Sequence, residues 1–229
     1  MKKSILLIFI LSITFSTYSQ NLSVPKFGIK VGTNYTNFNF HQYNYIFLGT
    51  SEISPGKAKP ESTSNFGVQG GFFVNFKLNA NWHYTPYVNY SQFSTNTKIN
   101  RTFDVDTIRT TGIENNEYII EYISLDNNFK CMFNDRVSIY LGPSIKYAIS
   151  NELNKTVVNS PNGLNEDYSG EIIRFNEIDG VIIFGTSLFI TENIDVDLNM
   201  YIGILEVESN DDGYNRAIQS SSFSIGYTF

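Results

Sequence analysis

Apolar and polar residues alternate along most of the chain from residue 26 onward. Between Lys26 and Tyr35, Phe27, Ile29, Val31, Thr33 and Tyr35 share one side, with Gly28, Lys30, Gly32 and Asn34 on the other. Successive strand side chains point to opposite faces, so this period of two predicts a β-strand with one apolar and one small or polar face. The pattern returns at 66–78, where Phe66, Val68, Gly70, Phe72, Val74, Phe76 and Leu78 oppose Gly67, Gln69, Gly71, Asn75 and Lys77. It recurs at 137–149, 194–204 and 222–229, and less regularly at 82–94, 118–133 and 177–190. Eight strands of roughly 10 to 15 residues are predicted, the usual range being short runs bounded by turn residues.

The links between strands alternate in length. Asn79-Ala80-Asn81, Asn134-Asp135-Arg136 and Thr191-Glu192-Asn193 read as tight turns, rich in residues that bond their own backbone. The remaining links are long: 38–64, 95–117, 150–176 and 207–217. A compact soluble domain seldom carries so many loops beyond ~15 residues, whereas membrane β-barrels pair short periplasmic turns with long outer loops. A soluble sandwich would hide the apolar stripe and wet the polar one; a membrane barrel inverts this. Aromatic residues favour the second arrangement. Phe27, Phe76, Trp82, Tyr84, Phe133, Phe189 and Phe229 fall near the short turns; Tyr35, Phe38, Phe40, Tyr90, Phe93, Tyr118 and Tyr122 fall near the long links. Two aromatic girdles are the expected signature of two lipid–water boundaries.

The N-terminal segment reads as an export signal. Lys2 and Lys3 precede an apolar run from Ser4 to Phe15, and Thr17 and Ser19 supply small residues at the positions before a cut. Residues 1–19 are therefore expected to be a signal peptide removed between Ser19 and Gln20, leaving a single barrel domain over 20–229. No run of 18 apolar residues offers a membrane helix. The terminal Gly226-Tyr227-Thr228-Phe229 lies inside the last alternating segment and resembles the assembly signal of bacterial outer-membrane barrels.

Composition narrows the partners. The 229 residues include 22 Asp+Glu and 16 Lys+Arg, and an acidic chain without a clustered basic face argues against nucleic acid. The single cysteine, Cys131, excludes an intramolecular disulfide; alternation places it toward lipid.

Several segments resemble a known family. Glu121-Tyr122-Ile123-Ser124-Leu125 followed by Phe129-Lys130, Tyr140-Leu141-Gly142-Pro143, Gly180 to Gly185 and the terminal Tyr227-Thr228-Phe229 are similar to the eight-stranded, PorT-like outer-membrane β-barrel family of Bacteroidetes. Asp126-Asn127-Asn128 departs from that family's pattern, and a local bulge is expected there. The resemblance implies an all-β, up-and-down antiparallel transmembrane barrel in the outer membrane. Some relatives serve protein secretion or gliding, and no site residue transfers.

With apolar residues outward, the inward charges are Lys30, Lys77, Lys130, Lys146, Asp126, Asp179, Asp195 and Asp197. An eight-stranded barrel is only wide enough for side chains to fill, and buried ions must pair. A structural Lys/Asp network in the middle and periplasmic half is expected, with Gly28, Gly32, Gly67, Gly71, Gly142 and Gly203 making room for it. Catalysis is not expected. His41 and His83 fall at opposite ends, and no phosphate loop, HExxH or CxxC is present. Glu206, Glu208, Asn210, Asp211 and Asp212 lack the spacing of a calcium loop and read as a solvated run. No cofactor or metal is implied. The leading expectation is a non-enzymatic surface protein that meets outer-membrane lipid along its sides and an extracellular partner or ligand through its long links. A secretion-machine component, an enzyme centred on His41 and a narrow pore are the alternatives.

Overall fold

The computed structural model describes residues 24–39, 43–45, 56–58, 61–105, 108–158, 166–170, 176–204, 208–209 and 215–229. Eight long strands form the body: β1 (Lys26–Asn39), β2 (Glu61–Lys77), β3 (Trp82–Val105), β4 (Ile108–Met132), β5 (Val137–Val158), β6 (Ile178–Phe189), β7 (Ile194–Gly203) and β8 (Asn215–Thr228). Each pairs antiparallel with its sequence neighbours, and β1 also pairs with β8 from Gly28↔Thr228 to Asn39↔Ala217. The sheet therefore closes on itself as an up-and-down barrel without a free edge around the body. Short strands are added at the far end: Tyr43–Tyr45 pairs with Gly56–Ala58, Glu166–Gly170 with β5, and Glu208–Ser209 with β8.

The three tight turns are built alike. The side chain of the first turn residue accepts hydrogen bonds from the backbone N–H groups two and three residues on. Asn79 Oδ1 takes Asn81 and Trp82 at 2.9 Å each, Asn134 Oδ1 takes Arg136 and Val137 at 2.8 and 2.9 Å, and Thr191 Oγ1 takes Asn193 and Ile194 at 3.2 and 3.0 Å. These side chains hold the reversal together with backbone bonds such as Asn79 N–H to Trp82 O and Thr191 N–H to Ile194 O, both at 3.2 Å.

The barrel is inside-out relative to a soluble fold. Phe27, Val31, Phe72, Leu141, Ile145, Leu198 and Phe223 stand exposed on its outer wall, whereas Lys30, Lys130, Lys146, Asp126 and Asp197 are at most 5% exposed within. Half-exposed or exposed Phe27, Trp82, Phe133 and Phe229 mark the short-turn rim, and Tyr35 and Phe66 the opposite one. Three residues expected in that upper girdle are instead inside: Phe93, Tyr118 and Tyr122 are 1, 7 and 0% exposed. They share register with Asn89, Asn116 and Ser124, which point inward, so parity and not position along the strand decides their face.

Strand lengths also differ from expectation. β3, β4 and β5 have 24, 25 and 22 residues, against the ~9–11 that cross a bilayer. The link expected at 95–117 is mostly hairpin, with β3 and β4 paired from Trp82↔Cys131 to Val105↔Ile108. Part of 150–176 is likewise strand. Register shifts lie between Ser64 and Gln69 on β2 and at Glu121/Tyr122 on β4, about where the apolar wall gives way to polar residues. The bulge expected at 126–128 does not form; the β4–β5 register is the same on both sides of it. Asn127 faces outward, and Tyr84 donates a hydrogen bond to its Oδ1 at 2.7 Å, which accommodates a polar side chain on the apolar wall without a kink.

Candidate functional site

The barrel interior gathers the polar chemistry. Of the expected lumen charges, Lys30, Lys130, Lys146, Asp126, Asp179, Asp195 and Asp197 are buried. Lys77 is not among them. It lies at the end of β2, exposed, and lines a cup of about 610 Å³ at the short-turn mouth with Lys26, Asn75, His83, Arg136 and Glu192. A strand-end side chain there reaches water instead of the network. His83 Nδ1 sits 2.9 Å from Asn75 Oδ1 in the same cup. His41 lies outside the described residues, as do the expected signal segment 1–19 and Glu206, Asp211 and Asp212.

The buried charges form two groups. In the first, near the short turns, Lys30 on β1 pairs with Asp197 and, at 3.2 Å, with Asp195, both on β7. Lys130 on β4 lies 4.0 Å from Asp197 and donates to Ser187 Oγ on β6 at 2.9 Å. Asp197 thus ties the β1 and β7 wall to the wall opposite. Two rings flank the ammonium groups: Phe73 is 5.0 Å from Lys30 Nζ and Tyr140 is 5.0 Å from Lys130 Nζ, within the range of cation–π attraction.

The second group lies further from the short turns. Asp126 on β4 accepts hydrogen bonds from Asn89 Nδ2 at 3.0 Å, Ser124 Oγ at 3.1 Å and Ser144 Oγ at 2.5 Å. Lys146 on β5 stands opposite Asp179 on β6. Its ammonium lies 4.1 Å from the Phe93 ring, 4.3 Å from Tyr201 and 5.8 Å from Tyr122. Phe93 on β3 and Tyr201 on β7 come from opposite sides of the ring of strands, yet their centroids are 6.5 Å apart. Phe93 also meets Tyr122 edge-on at 5.6 Å. These rings and the Lys146 ammonium meet across the lumen.

Sequence reading missed this aromatic lumen: Phe73, Tyr87, Phe93, Tyr122, Tyr140 and Tyr201 are all buried. The available signal was parity. Tyr122 precedes Asp126 by four residues and Tyr201 follows Asp197 by four, so each pair shares a face. The expected role of the glycines also changes. A Cβ at Gly28 would strike the Phe73 ring, so that glycine does make room for a side chain; at Gly71 and Gly142 it would meet the neighbouring strand's carbonyl instead. Gly67 serves a bridge. A Cβ there would lie 2.8 Å from Asn34 Oδ1 and against the Gln92 carbonyl. Its absence lets Asn34 Nδ2 pass over β2 and donate to Gln92 O on β3 at 2.9 Å.

No His, Cys, Asp or Glu group of three or more comes together among the described residues. Cys131 is half-buried on the outward register. The described interior is thus packed with rings and with three Lys set against four Asp.

A family model described as "Outer membrane protein beta-barrel domain" matches residues 18–207. The chain belongs to this outer membrane β-barrel family. Its place is the bacterial outer membrane, with the apolar wall in lipid. No curated protein matches the chain. Among solved structures the barrel is similar to Ail, the attachment invasion locus protein of Yersinia pestis, at 12% identity and a TM-score of 0.41, over 90% of this chain and all of that one. It is similar to Neisserial surface protein A at 13% identity and a TM-score of 0.38, again over 90% and 100% of the two chains. A third is the outer membrane protein OprG from Pseudomonas aeruginosa, at 8% identity and a TM-score of 0.37, covering 88% and 95%. At these values the likenesses carry no functional argument, and the reading of this outer membrane β-barrel rests on its own geometry.

Proposed function

We propose that this outer membrane barrel is a non-enzymatic surface protein whose work is done beyond the membrane, by the continuation of β3, β4 and β5. The observation that carries the reading is the Phe93–Tyr201 contact across the lumen. It leaves no path for a solute through the barrel, while three strands project past the apolar wall. At ~3.3 Å per residue, β4 alone is about 80 Å of extended chain. The far-end segments 38–64, 95–117, 150–176 and 207–217 hold 13 acidic and eight basic residues, so the partner surface they favour is neutral or basic. The Lys/Asp groups serve as structural fill that fixes the relative height of the strands.

In this reading residues 1–19 direct export, cleavage follows Ser19, and the short turns lie in the periplasm. The motifs at 121–130 and 140–143 support kinship with the PorT-like barrels of Bacteroidetes. The test uses intact cells. Excision of residues 99–113 from the full-length protein abolishes binding of its surface ligand while the barrel still folds and reaches the outer membrane. Loss of function on opening or draining the lumen, with the excised variant unaffected, overturns the reading.

A further inference from the structure

We infer that Asp179 holds a small monovalent cation inside the barrel. Asp179 is 0% exposed, and neither carboxylate oxygen has a hydrogen-bond partner. A buried carboxylate left so costs several kcal/mol, and the Lys146 charge and the Gly180 backbone amide offset only part of that. Lys146 stands directly across the β5–β6 ladder, yet its ammonium is turned into the rings of Phe93 and Tyr201. Among the described residues no ion pair within 4.0 Å joins Lys146 to Asp179 or Asp126.

Charge balance points the same way. The group near the short turns sets Lys30 and Lys130 against Asp195 and Asp197 and is neutral. The second group sets Lys146 alone against Asp126 and Asp179, and is one positive charge short. Asp126 is already served by three hydrogen bonds from Asn89, Ser124 and Ser144, so the deficit falls on Asp179. Tyr122 Oη, buried and likewise without a partner, offers a second oxygen near Asp179; its ring faces the same Lys146 ammonium. Hard oxygen donors suit a hard cation. With no group of three or more acidic, histidine or cysteine residues among the described residues, the site is too poor for a divalent metal, and it suits sodium or potassium.

The test uses the full-length barrel in detergent, comparing chloride salts of sodium and of the bulky cation N-methyl-D-glucamine at equal ionic strength. Binding stabilises the folded state by mass action. At a sodium concentration about ten-fold above Kd the unfolding midpoint of the native protein rises by about 3–6 °C. Asp179→Asn removes that rise, and crystals soaked in rubidium show an anomalous peak at Asp179. Equal midpoints in the two salts overturn the inference, as does a sodium effect that survives in Asp179→Asn. So does a midpoint that responds to pH but not to sodium, because Asp179 is then neutralised by a proton.

Discussion

Asp197 is the residue on which the interior most depends. It faces Lys30 and Lys130, which come from strands on different sides of the barrel. Removing one partner of a buried ion pair strands the other charge and costs about 3–5 kcal/mol. Asp197→Ala is expected to lower stability by that amount in denaturant titration. The double change Lys30→Met with Asp197→Leu recovers most of the loss, because well-packed apolar pairs replace buried ions with little penalty. The turn residues act on a smaller scale. Asn134→Ala removes two hydrogen bonds to backbone N–H groups and is expected to cost about 1–2 kcal/mol, measured in the same way. Residues such as Asn79, Asn134 and Thr191 were legible in the sequence because a turn needs a local acceptor at a fixed offset. Tyr122 and Phe93 were not, because an aromatic ring suits a lipid boundary and a lumen equally, and only its parity separates the two.

At the scale of the strand, the apolar wall was readable and the projecting sheet was not. Phe72, Leu141, Ile145 and Leu198 stand exposed on one face and announce themselves by alternating with small or polar residues. Beyond the wall the outward face meets water, and although Phe93, Ile99, Tyr118 and Ile120 stay buried inside, polar residues fill most other positions of β3 above Gln92 and β4 below Glu121. Their Thr, Asn and Glu composition reads as loop although the ladder continues to Val105↔Ile108. Hydrogen exchange distinguishes the two states. Amides of residues 95–100 and 113–118 are expected to be protected well above the level of an open loop; exchange at loop rates contradicts the hairpin. On the wall itself, Leu141→Arg puts a charge in the hydrocarbon and is expected to cost about 2–4 kcal/mol, falling to about 0–1 for the same change at Phe133 near the short-turn rim. Refolding into lipid vesicles measures both.

For the whole molecule, the ring of strands and the outward apolar wall define a membrane-spanning barrel, and the proposed closed lumen makes a non-conducting one. Single-channel recording in planar bilayers is expected to show no sustained conductance for the native protein. Phe93→Ala combined with Tyr201→Ala removes the rings that meet across the lumen and is expected to produce discrete openings. Fold class was legible because eight alternating segments, short-long links and an inverted charge pattern agree with one another. The interior was legible only as a set of charges. Which of them meet depends on stagger between strands, and that stagger, as at Asp197↔Ser187 and Asp197↔Ser224, is fixed by the closed ring and not by any local run of residues.

The seam between β1 and β8 joins residues 200 positions apart, Gly28 to Thr228. Every other strand pairing in the body links neighbours along the chain and can form early. This one has the greatest loop-closure cost and must come last. Until it does, the unfinished protein presents two raw strand edges to a medium that cannot satisfy them. The cell must therefore shelter the growing sheet throughout its transit, and a chain lacking 215–228 is expected to be degraded instead of inserted.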